Sequence, residues 1–185
     1  GKLLTALKNT NQKDRILAVL PEIGGSVALE TVSSYFKNST GKTKETAFEA
    51  LTNWKEYAAS ADLYEICQTS TGDFRTKAFA SFIRQVRTAS LPDDQKLLQF
   101  RKIMPFAASS EEKTLVVNSI GNLKTFLSLV YLEQFLNDQT LQQATSRAIM
   151  KIAMPGSEQP GFSGDFVRHL LERVASVISG EESDY

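Results

Sequence analysis

The chain has 185 residues, 42% of them apolar, so it can bury a substantial core and is not a disordered segment. Its 21 basic and 21 acidic residues cancel, which argues against a nucleic-acid backbone or an anionic membrane as partner. No apolar run approaches the roughly 20 residues that a membrane-spanning helix needs, so we expect no direct membrane span. The single cysteine, Cys67, excludes an internal disulfide and leaves the redox compartment open.

Helical periodicity runs through nearly the whole chain, and no segment shows the strand alternation that precedes a hairpin turn. We expect Gly24 and Gly25 to end the second helix in the left-handed conformation, and Ser26 to cap the third. Polar turns at 38–41 and 69–73 separate later helices. The pattern predicts helices at residues 2–9, 12–23, 26–37, 42–57, 61–69, 74–88, 92–107, 110–122, 124–137, 140–154 and 164–179.

Several helix starts in the second half of the chain carry capping sequences. Ser109 stands three residues before Glu112, so its hydroxyl is expected to accept from the Glu112 N–H while the glutamate reaches back. Thr140 and Gln143 have the same spacing. Pro92 suits the first turn of a helix, where its missing N–H costs nothing.

Three pairs of adjacent acidic residues could suggest the paired carboxylates of a glycosidase. Two of the pairs fall in predicted first turns of helices, where the helix dipole favours negative charge, and adjacent side chains point in different directions. Helix capping is therefore the favoured interpretation. The pairs are Asp93–Asp94, Glu111–Glu112 and Glu181–Glu182.

The stretch 44–54 carries an apolar stripe that recurs along the chain. Its apolar residues lie at i, i+1, i+3, i+4 and i+7 of a helix, the wide face that packs on a core: Ala47, Phe48, Ala50, Leu51 and Trp54. Equivalent residue pairs are separated by 31, 31, 38 and 29 positions, a loose period typical of helical solenoids. The pairs are Val19-Leu20, Ala50-Leu51, Ser81-Phe82, Ser119-Ile120 and Ala148-Ile149, preceded by Ile16, Ala47, Ala78, Val116 and Thr145.

One further predicted helix lies between successive pairs, so the repeating unit is helix, short turn, helix. A pair of amphipathic helices cannot bury its apolar face alone, and neighbouring pairs must therefore stack. The sequence thus predicts an all-α fold in which about five helix pairs stack into an α-α superhelix. We expect it to form a single domain over residues 1–185. A compact bundle of unrelated helices is the structural alternative.

Residues 14–24 resemble the second helix of HEAT-like repeats, in which a charged start and an Ala-x-x-Leu core precede a closing glycine, and residues 119–121 are similar. This resemblance implies that the superhelix is right-handed and of the HEAT/armadillo type, a single HEAT-like repeat domain over residues 1–185. A more specific resemblance lies in the last third of the chain, at residues 131–138, 143–155, 161–178 and 182–185. These residues resemble the helical repeat region found ahead of a 3-keto-disaccharide hydrolase domain in large secreted proteins of Bacteroidetes bacteria.

That resemblance implies a non-catalytic helical partner of a carbohydrate-active hydrolase, exported to the periplasm or the cell surface. The strands of the hydrolase domain are not in this sequence, so none of its site residues carries over. Residues 1–7 lack the features of a signal peptide, and we expect the chain to be a fragment of a longer multidomain protein.

Isolated chemical motifs have structural interpretations that are preferred here. Gly41-Lys42-Thr43 imitates the end of a phosphate-binding loop, but Phe36 stands where that loop needs a glycine. His169 is the only histidine and has no partner at metal-ligand or catalytic spacing, which favours a surface or half-buried helix position. Cys67 lies late in its helix and is expected to pack as a small apolar residue. We therefore assign no catalytic, cofactor-binding or metal-binding residue and expect no cofactor.

Two groups of residues remain as candidates for a binding surface. Trp54 and Tyr57 lie three apart on one predicted helix, with Tyr35 and Tyr64 on its neighbours, and exposed rings could stack on a sugar. Core packing is the favoured role of Trp54, since it extends the apolar stripe. The second group would line the concave face of the superhelix: Glu49, Thr52, Asn53 and Glu56 in one copy, and Ser81, Arg84 and Gln85 in another.

Two functional hypotheses follow. The first is a non-catalytic scaffold or protein-interaction module, without enzyme activity of its own, whose partner is another protein or an adjacent hydrolase domain of the same chain. The second is a small all-α carbohydrate-binding domain or enzyme that uses the Trp54 and Tyr57 region, with a glycan as ligand. Neither hypothesis involves nucleic acid.

Overall fold

A computed structural model describes residues 13–156 and 160–182 of the chain. These residues form ten α-helices and no strand, which confirms the predicted all-α class for this part of the chain. Short 3-10 helices at Tyr57–Ala59, Met104–Phe106 and Glu133–Asn137 link or extend them. The α-helices are α1 (Lys13–Ile23), α2 (Ser26–Asn38), α3 (Gly41–Thr52), α4 (Ser60–Thr69), α5 (Gly72–Thr88), α6 (Asp93–Ile103), α7 (Ser110–Ile120), α8 (Phe126–Leu132), α9 (Gln142–Ala153) and α10 (Asp165–Glu182).

The predicted helix at 42–57 is wrong at its C-terminal end, because α3 stops at Thr52. The Asn53 N–H still donates to the carbonyl of Glu49 at 2.9 Å, but that of Trp54 donates to Leu51 at 3.2 Å, a tighter turn that closes the helix. The α-helices predicted at 92–107 and 124–137 are also too long, since each ends in a 3-10 segment. The predicted helix at 2–9 lies outside the described residues.

The glycine turn after α1 forms as expected, whereas the cap predicted after it does not. Gly24 and Gly25 have φ angles of 68° and 85°, a region that side chains disfavour, and the Gly24 N–H closes α1 on the Leu20 carbonyl at 3.0 Å. Ser26 is the first residue of α2, and the capping position falls on Gly25, which has no side chain to bond. The predicted Ser26 cap is therefore wrong.

Only one of the two predicted capping boxes forms. Ser109 Oγ accepts from the Glu112 N–H at 3.3 Å, and the Glu112 carboxylate accepts from the Ala108 N–H at 2.7 Å. The Thr140 box is wrong, because α9 begins at Gln142 and the capping position falls on Leu141, whose side chain has no acceptor. Thr140 instead belongs to the preceding turn, where Asp138 Oδ1 accepts from Thr140 Oγ1 at 2.7 Å and from the Thr140 N–H at 3.0 Å.

The chain divides into two compact units, Gly1–Ala89 and Ser90–Tyr185. In the described residues the first unit holds α1 to α5 and the second holds α6 to α10. A single domain over residues 1–185 stays a prediction, as do the HEAT-like repeat and the superhelix.

In the first unit, α2 packs on α3, α4 packs on α5, and α1 packs on α3. Two of its turns have the same sequence and shape: Ser39-Thr40-Gly41 and Ser70-Thr71-Gly72 lead into α3 and α5, with φ angles of 55° and 59° at the glycines. Buried residues also recur 31 positions apart along the unit. They are Leu17, Phe48 and Phe79; Leu20, Leu51 and Phe82; Ala47 and Ala78; and Val32 and Leu63.

The second unit buries a similar series. Buried residues 32 positions apart lie on α6 and α8 and on the 3-10 helices that follow them. They are Leu97 and Leu129, Phe100 and Leu132, and Met104 and Leu136. Helices α7 and α9 approach closely at Gly121, where an added Cβ would lie 2.9 Å from the Ala148 Cβ. No larger side chain fits there without movement of α9.

Polar bonds connect each helix to its second neighbour along the chain. Thr43 of α3 donates to Asp14 of α1 at 2.9 Å. Lys37 of α2 pairs with Glu65 of α4 at 2.8 Å. In the second unit, the carboxylates of Asp93 and Asp94 on α6 accept from the Lys124 N–H, at 2.6 Å, and from the Thr125 hydroxyl, at the start of α8. Lys151 of α9 donates to Asn122, just after α7, at 2.5 Å.

Candidate functional site

A polar groove runs between α3 and α5 in the first unit, and we name it the α3–α5 groove. It consists of two clefts that share Lys77, one of about 430 Å³ and one of about 320 Å³. The first cleft, at the N-terminal halves of both helices, is lined by Glu45, Phe48, Glu49, Thr71, Asp73, Phe74 and Lys77. The second, toward their C-terminal ends, is lined by Thr52, Asn53, Lys77, Ala80, Ser81 and Arg84.

Helical spacing explains why these side chains line the groove. Helix α3 turns Ala47, Phe48 and Leu51 into the core, so the residues at 45, 49 and 53, each four positions apart, share its outer face. Helix α5 buries the equivalent residues 78, 79 and 82, which leaves 73, 77, 80 and 84 exposed. The two outer faces meet along the groove.

The floor of the first cleft is aromatic. The rings of Phe48 and Phe74 meet edge to face with centroids 4.8 Å apart, and Phe36 lies 5.8 Å and 5.7 Å from them. Lys44 Nζ lies 5.0 Å from the Phe36 ring centroid and 5.9 Å from that of Phe74. Aromatic faces attract cations at such distances. The floor is therefore a rigid apolar surface that already holds one ammonium group at its edge.

The charged side chains of the groove are not paired with one another. Among the described residues, Glu45, Glu49, Asp73 and Lys77 form no ion pair, although all four are exposed. Arg84 donates a hydrogen bond to the backbone carbonyl of Thr52, near the negative end of the α3 dipole. The first cleft thus has excess negative charge, and the second is bordered by two cations.

Five of the seven polar residues predicted to line a concave face lie in this groove: Glu49, Thr52, Asn53, Ser81 and Arg84. Gln85 is buried instead, and its Nε2 donates to the Trp54 carbonyl at 3.1 Å. Glu56 lies after α3 with its carboxylate against Gly24. Sequence reasoning missed Glu45, Asp73, Phe74 and Lys77. Glu45 could have been found, because it lies one helical turn before Glu49.

The aromatic candidates lie elsewhere. Trp54 is fully buried, which confirms its predicted packing role, and its ring presents no face to solvent. Trp54 and Tyr57 are not on one helix as predicted, because α3 ends before both of them. Tyr57, Tyr35 and Tyr64 are half-buried, and the Tyr64 ring lies 6.0 Å from Phe82.

The other candidate residues occupy structural positions. His169 is exposed on α10, and Cys67 is buried on α4 with its Sγ 3.9 Å from the Arg75 carbonyl oxygen, as predicted for both. Lys42 and Thr43 lie in the first turn of α3, where Thr43 bonds Asp14. Within residues 13–156 and 160–182, no three His, Cys, Asp or Glu side chains converge closely enough to hold a metal ion.

The acidic pairs begin helices as expected. Asp93 and Asp94 lie in the first turn of α6, and Glu111 and Glu112 in that of α7. The pKa of Glu111 is lowered by hydrogen bonds from Ser109 and from its own backbone N–H. The side chains of the pair at 181–182 lie outside the described part of the chain.

A second concavity, of about 490 Å³, lies along α10 in the second unit and is mainly apolar. It is open on one side, and no described residue fills it. It is lined by Phe162, Ser163, Gly164, Val167, Arg168, Leu171, Glu172 and Ala175.

Comparison with known proteins yields no family model, no curated protein and no solved structure that matches this chain. No helix in the described residues is long and apolar enough to cross a bilayer. The function of the chain must therefore be inferred from the stacking of its helices and from the α3–α5 groove.

Proposed function

We propose that the chain is a non-catalytic, HEAT-like repeat module that serves as a scaffold or binds a protein partner. The observation that carries this proposal is the bonding of each helix to its second neighbour within each unit, as in Lys37 with Glu65 and Thr43 with Asp14. Such bonding is what stacked helix pairs produce, because equivalent helices of adjacent repeats lie side by side. Stacked repeats expose long helix faces, and these faces commonly serve as binding surfaces.

The repeat interpretation is supported by the 31-residue recurrence of buried positions and by the identical turns at 39–41 and 70–72. We propose that the pairs continue as a right-handed superhelix of about five pairs. A bundle of unrelated helices would give no reason for equivalent side chains at equal spacing.

The partner that we propose is a carbohydrate-active hydrolase domain, adjacent in the same longer chain or on another protein, in the periplasm or at the cell surface. This part of the proposal is supported by the resemblance of residues 131–138 and 143–155 to the repeat region ahead of 3-keto-disaccharide hydrolases.

The absence of catalysis in the proposal is supported by the exposure of the groove carboxylates. A general acid at neutral pH needs a pKa raised by burial or by a neighbouring charge. Glu45, Glu49 and Asp73 are all exposed on outer helix faces. Their arrangement suits recognition better than proton transfer.

The proposal is tested by titrating the purified chain with the separately purified hydrolase domain in a calorimeter. Saturable binding at one-to-one stoichiometry is expected, and the chain alone should not hydrolyse a panel of glycosides and 3-keto-glycosides. Turnover by the chain that is lost on a single substitution would overturn the proposal. Reading the coding sequence beyond Tyr185 tests the hydrolase part separately, because a β-rich domain should follow there.

The glycan-binding alternative depends on Tyr57, which is half-exposed three residues after the buried Trp54. Titrating the chain with oligosaccharides while following tryptophan fluorescence tests it, because Trp54 is the only tryptophan. A saturable change in emission that Tyr57→Ala abolishes would favour glycan binding over the protein partner.

A further inference from the structure

The α3–α5 groove carries charged side chains that remain unpaired. Two other contacts between second-neighbour helices bring opposite charges together: Lys37 with Glu65 at 2.8 Å, and Arg173 with Glu133 at 2.6 Å. Along the first cleft of the groove, carboxylates stand on both walls and outnumber the one ammonium group among its lining residues, that of Lys77, and the described residues provide no ion pair for them. Glu45 and Glu49 are also like charges one helical turn apart, a spacing that destabilises a helix. A bound cation would remove this repulsion.

The shape of the cleft indicates what kind of cation it accepts. The groove carboxylates do not converge as a metal site, since no three acidic side chains come together among the described residues. They are spread along a cleft of about 430 Å³ with Phe48 and Phe74 at its floor. An aromatic floor and carboxylate walls suit the long alkyl stem and charged end of a lysine or arginine side chain.

The second cleft, in contrast, favours an anionic group. Lys77 and Arg84 border it, and the amide of Asn53 adds a hydrogen-bond donor. Arg84 donates to the Thr52 carbonyl, and this bond orients its guanidinium group. A carboxylate is the group that these donors recognise.

The distance between the two clefts sets the length of the ligand. From Glu45 to Asn53, the rise of a helix spans about 12 Å. An extended chain advances about 3.3 Å per residue, so about four residues cover that distance. We propose that the α3–α5 groove binds an extended peptide segment that carries a basic side chain and, about four residues away, an acidic one. This inference deepens the proposed function and rests on it, since it names the feature that the protein partner must present.

The test uses the whole chain and the fluorescein-labelled peptide acetyl-Ala-Lys-Ala-Ala-Ala-Glu-Ala-amide, followed by fluorescence anisotropy. The same peptide with lysine and glutamate exchanged gives the direction of binding, and an all-alanine peptide is the control. Saturable binding of one charged peptide below about 1 mM is expected. Raising the salt concentration should weaken it several-fold, because both recognition sites are exposed to solvent.

Substitutions in the groove then locate the binding site. Glu49→Gln and Arg84→Gln should each weaken binding by about tenfold, the loss typical of a charged hydrogen bond. Glu30→Gln is the matched control, because Glu30 is exposed on α2, outside the groove, and the change in charge is the same. Circular dichroism of each variant verifies that the helices are retained.

Three results would overturn the inference: no binding of either charged peptide, binding as strong to the all-alanine peptide, or equal effects of Glu49→Gln and Glu30→Gln. Binding of the hydrolase domain to the groove variants distinguishes failure of this inference from failure of the proposed function. If that domain binds the Glu49→Gln and Arg84→Gln variants as well as the unaltered chain, the interaction module stands and the groove is not its site.

Discussion

The bond between Gln85 and the backbone of Trp54 should contribute measurably to the stability of the first unit. Gln85 lies on α5 with 1% of its surface exposed, and its Nε2 donates to the Trp54 carbonyl at 3.1 Å. Trp54 follows the end of α3, so this bond fixes the non-helical turn that carries a fully buried tryptophan. The buried Nε2 needs this partner, because without it the nitrogen would be unpaired away from water, as the Gln85 Oε1 already is.

The magnitude follows from two terms. Gln85→Ala removes a hydrogen bond, about 1 kcal/mol, and a buried methylene group, about 0.8 kcal/mol. The expected loss in the free energy of unfolding is therefore about 2 kcal/mol. Gln85→Leu keeps the apolar volume and removes only the hydrogen bond, so about 1 kcal/mol should be lost.

Urea unfolding followed by tryptophan fluorescence is the suitable assay, because Trp54 is the only tryptophan and reports on the first unit. Lys77→Ala is the matched control, since Lys77 is exposed on the same helix and forms no ion pair with a described residue, and such a substitution should change stability by about 0.5 kcal/mol or less. If Gln85→Ala unfolds at the same urea concentration as Lys77→Ala, the bond does not stabilise the turn.

Three further predictions concern the second unit. Gly161→Ala should destabilise by about 2 kcal/mol or more, because φ is +76° and the new Cβ would lie 2.5 Å from the Ala153 carbonyl oxygen. Gly164 has φ +112° and open space around it, so Gly164→Ala should lower the free energy of unfolding less than Gly161→Ala when both are measured by thermal unfolding. Equal losses would show that the close contact at Gly161 is unimportant. Ser109→Ala should lose about 1 kcal/mol in chemical denaturation through its cap on α7, whereas Ser109→Asp should retain most of it. Hydrogen bonds from the Thr140 side chain and N–H lower the pKa of Asp138, so its stabilising contribution holds above the unfolded pKa and is lost as pH falls through the folded value. Carbon-detected NMR titration should show Thr140→Val raising that pKa, and an unchanged midpoint would contradict the role of the hydroxyl.

The sequence predicted the helices well because the apolar residues recur at helical spacing and because polar or glycine-containing turns separate them. The errors lie at helix ends. Trp54 continued the apolar stripe of α3, yet it enters the core from the turn after the helix. Thr140 had the spacing of a capping residue, but α9 begins at Gln142, so Leu141 has the capping position and Thr140 bonds Asp138 instead.

The groove was partly predictable for the same reason. Once Ala47, Phe48 and Leu51 are assigned to the core, helical geometry places Glu49 and Asn53 on the outer face. The opposite wall was harder to predict, because Asp73, Phe74 and Lys77 border the groove only if α5 lies beside α3. The local sequence of α5 contains no information on that packing.

The chain by itself determined the helical class, the buried face of each helix and the positions of several turns, since these depend on periodicity and on conformational preferences within a few residues. Only the tertiary structure decided which charges are paired. Glu65 and Glu49 are both glutamates on exposed helix positions, but Lys37 lies 2.8 Å from Glu65, whereas no described residue pairs with Glu49. An ion pair between residues about 30 positions apart in sequence, such as Lys37 and Glu65, forms only when their side chains approach within 4 Å, and the packing of one helix beside another sets that distance.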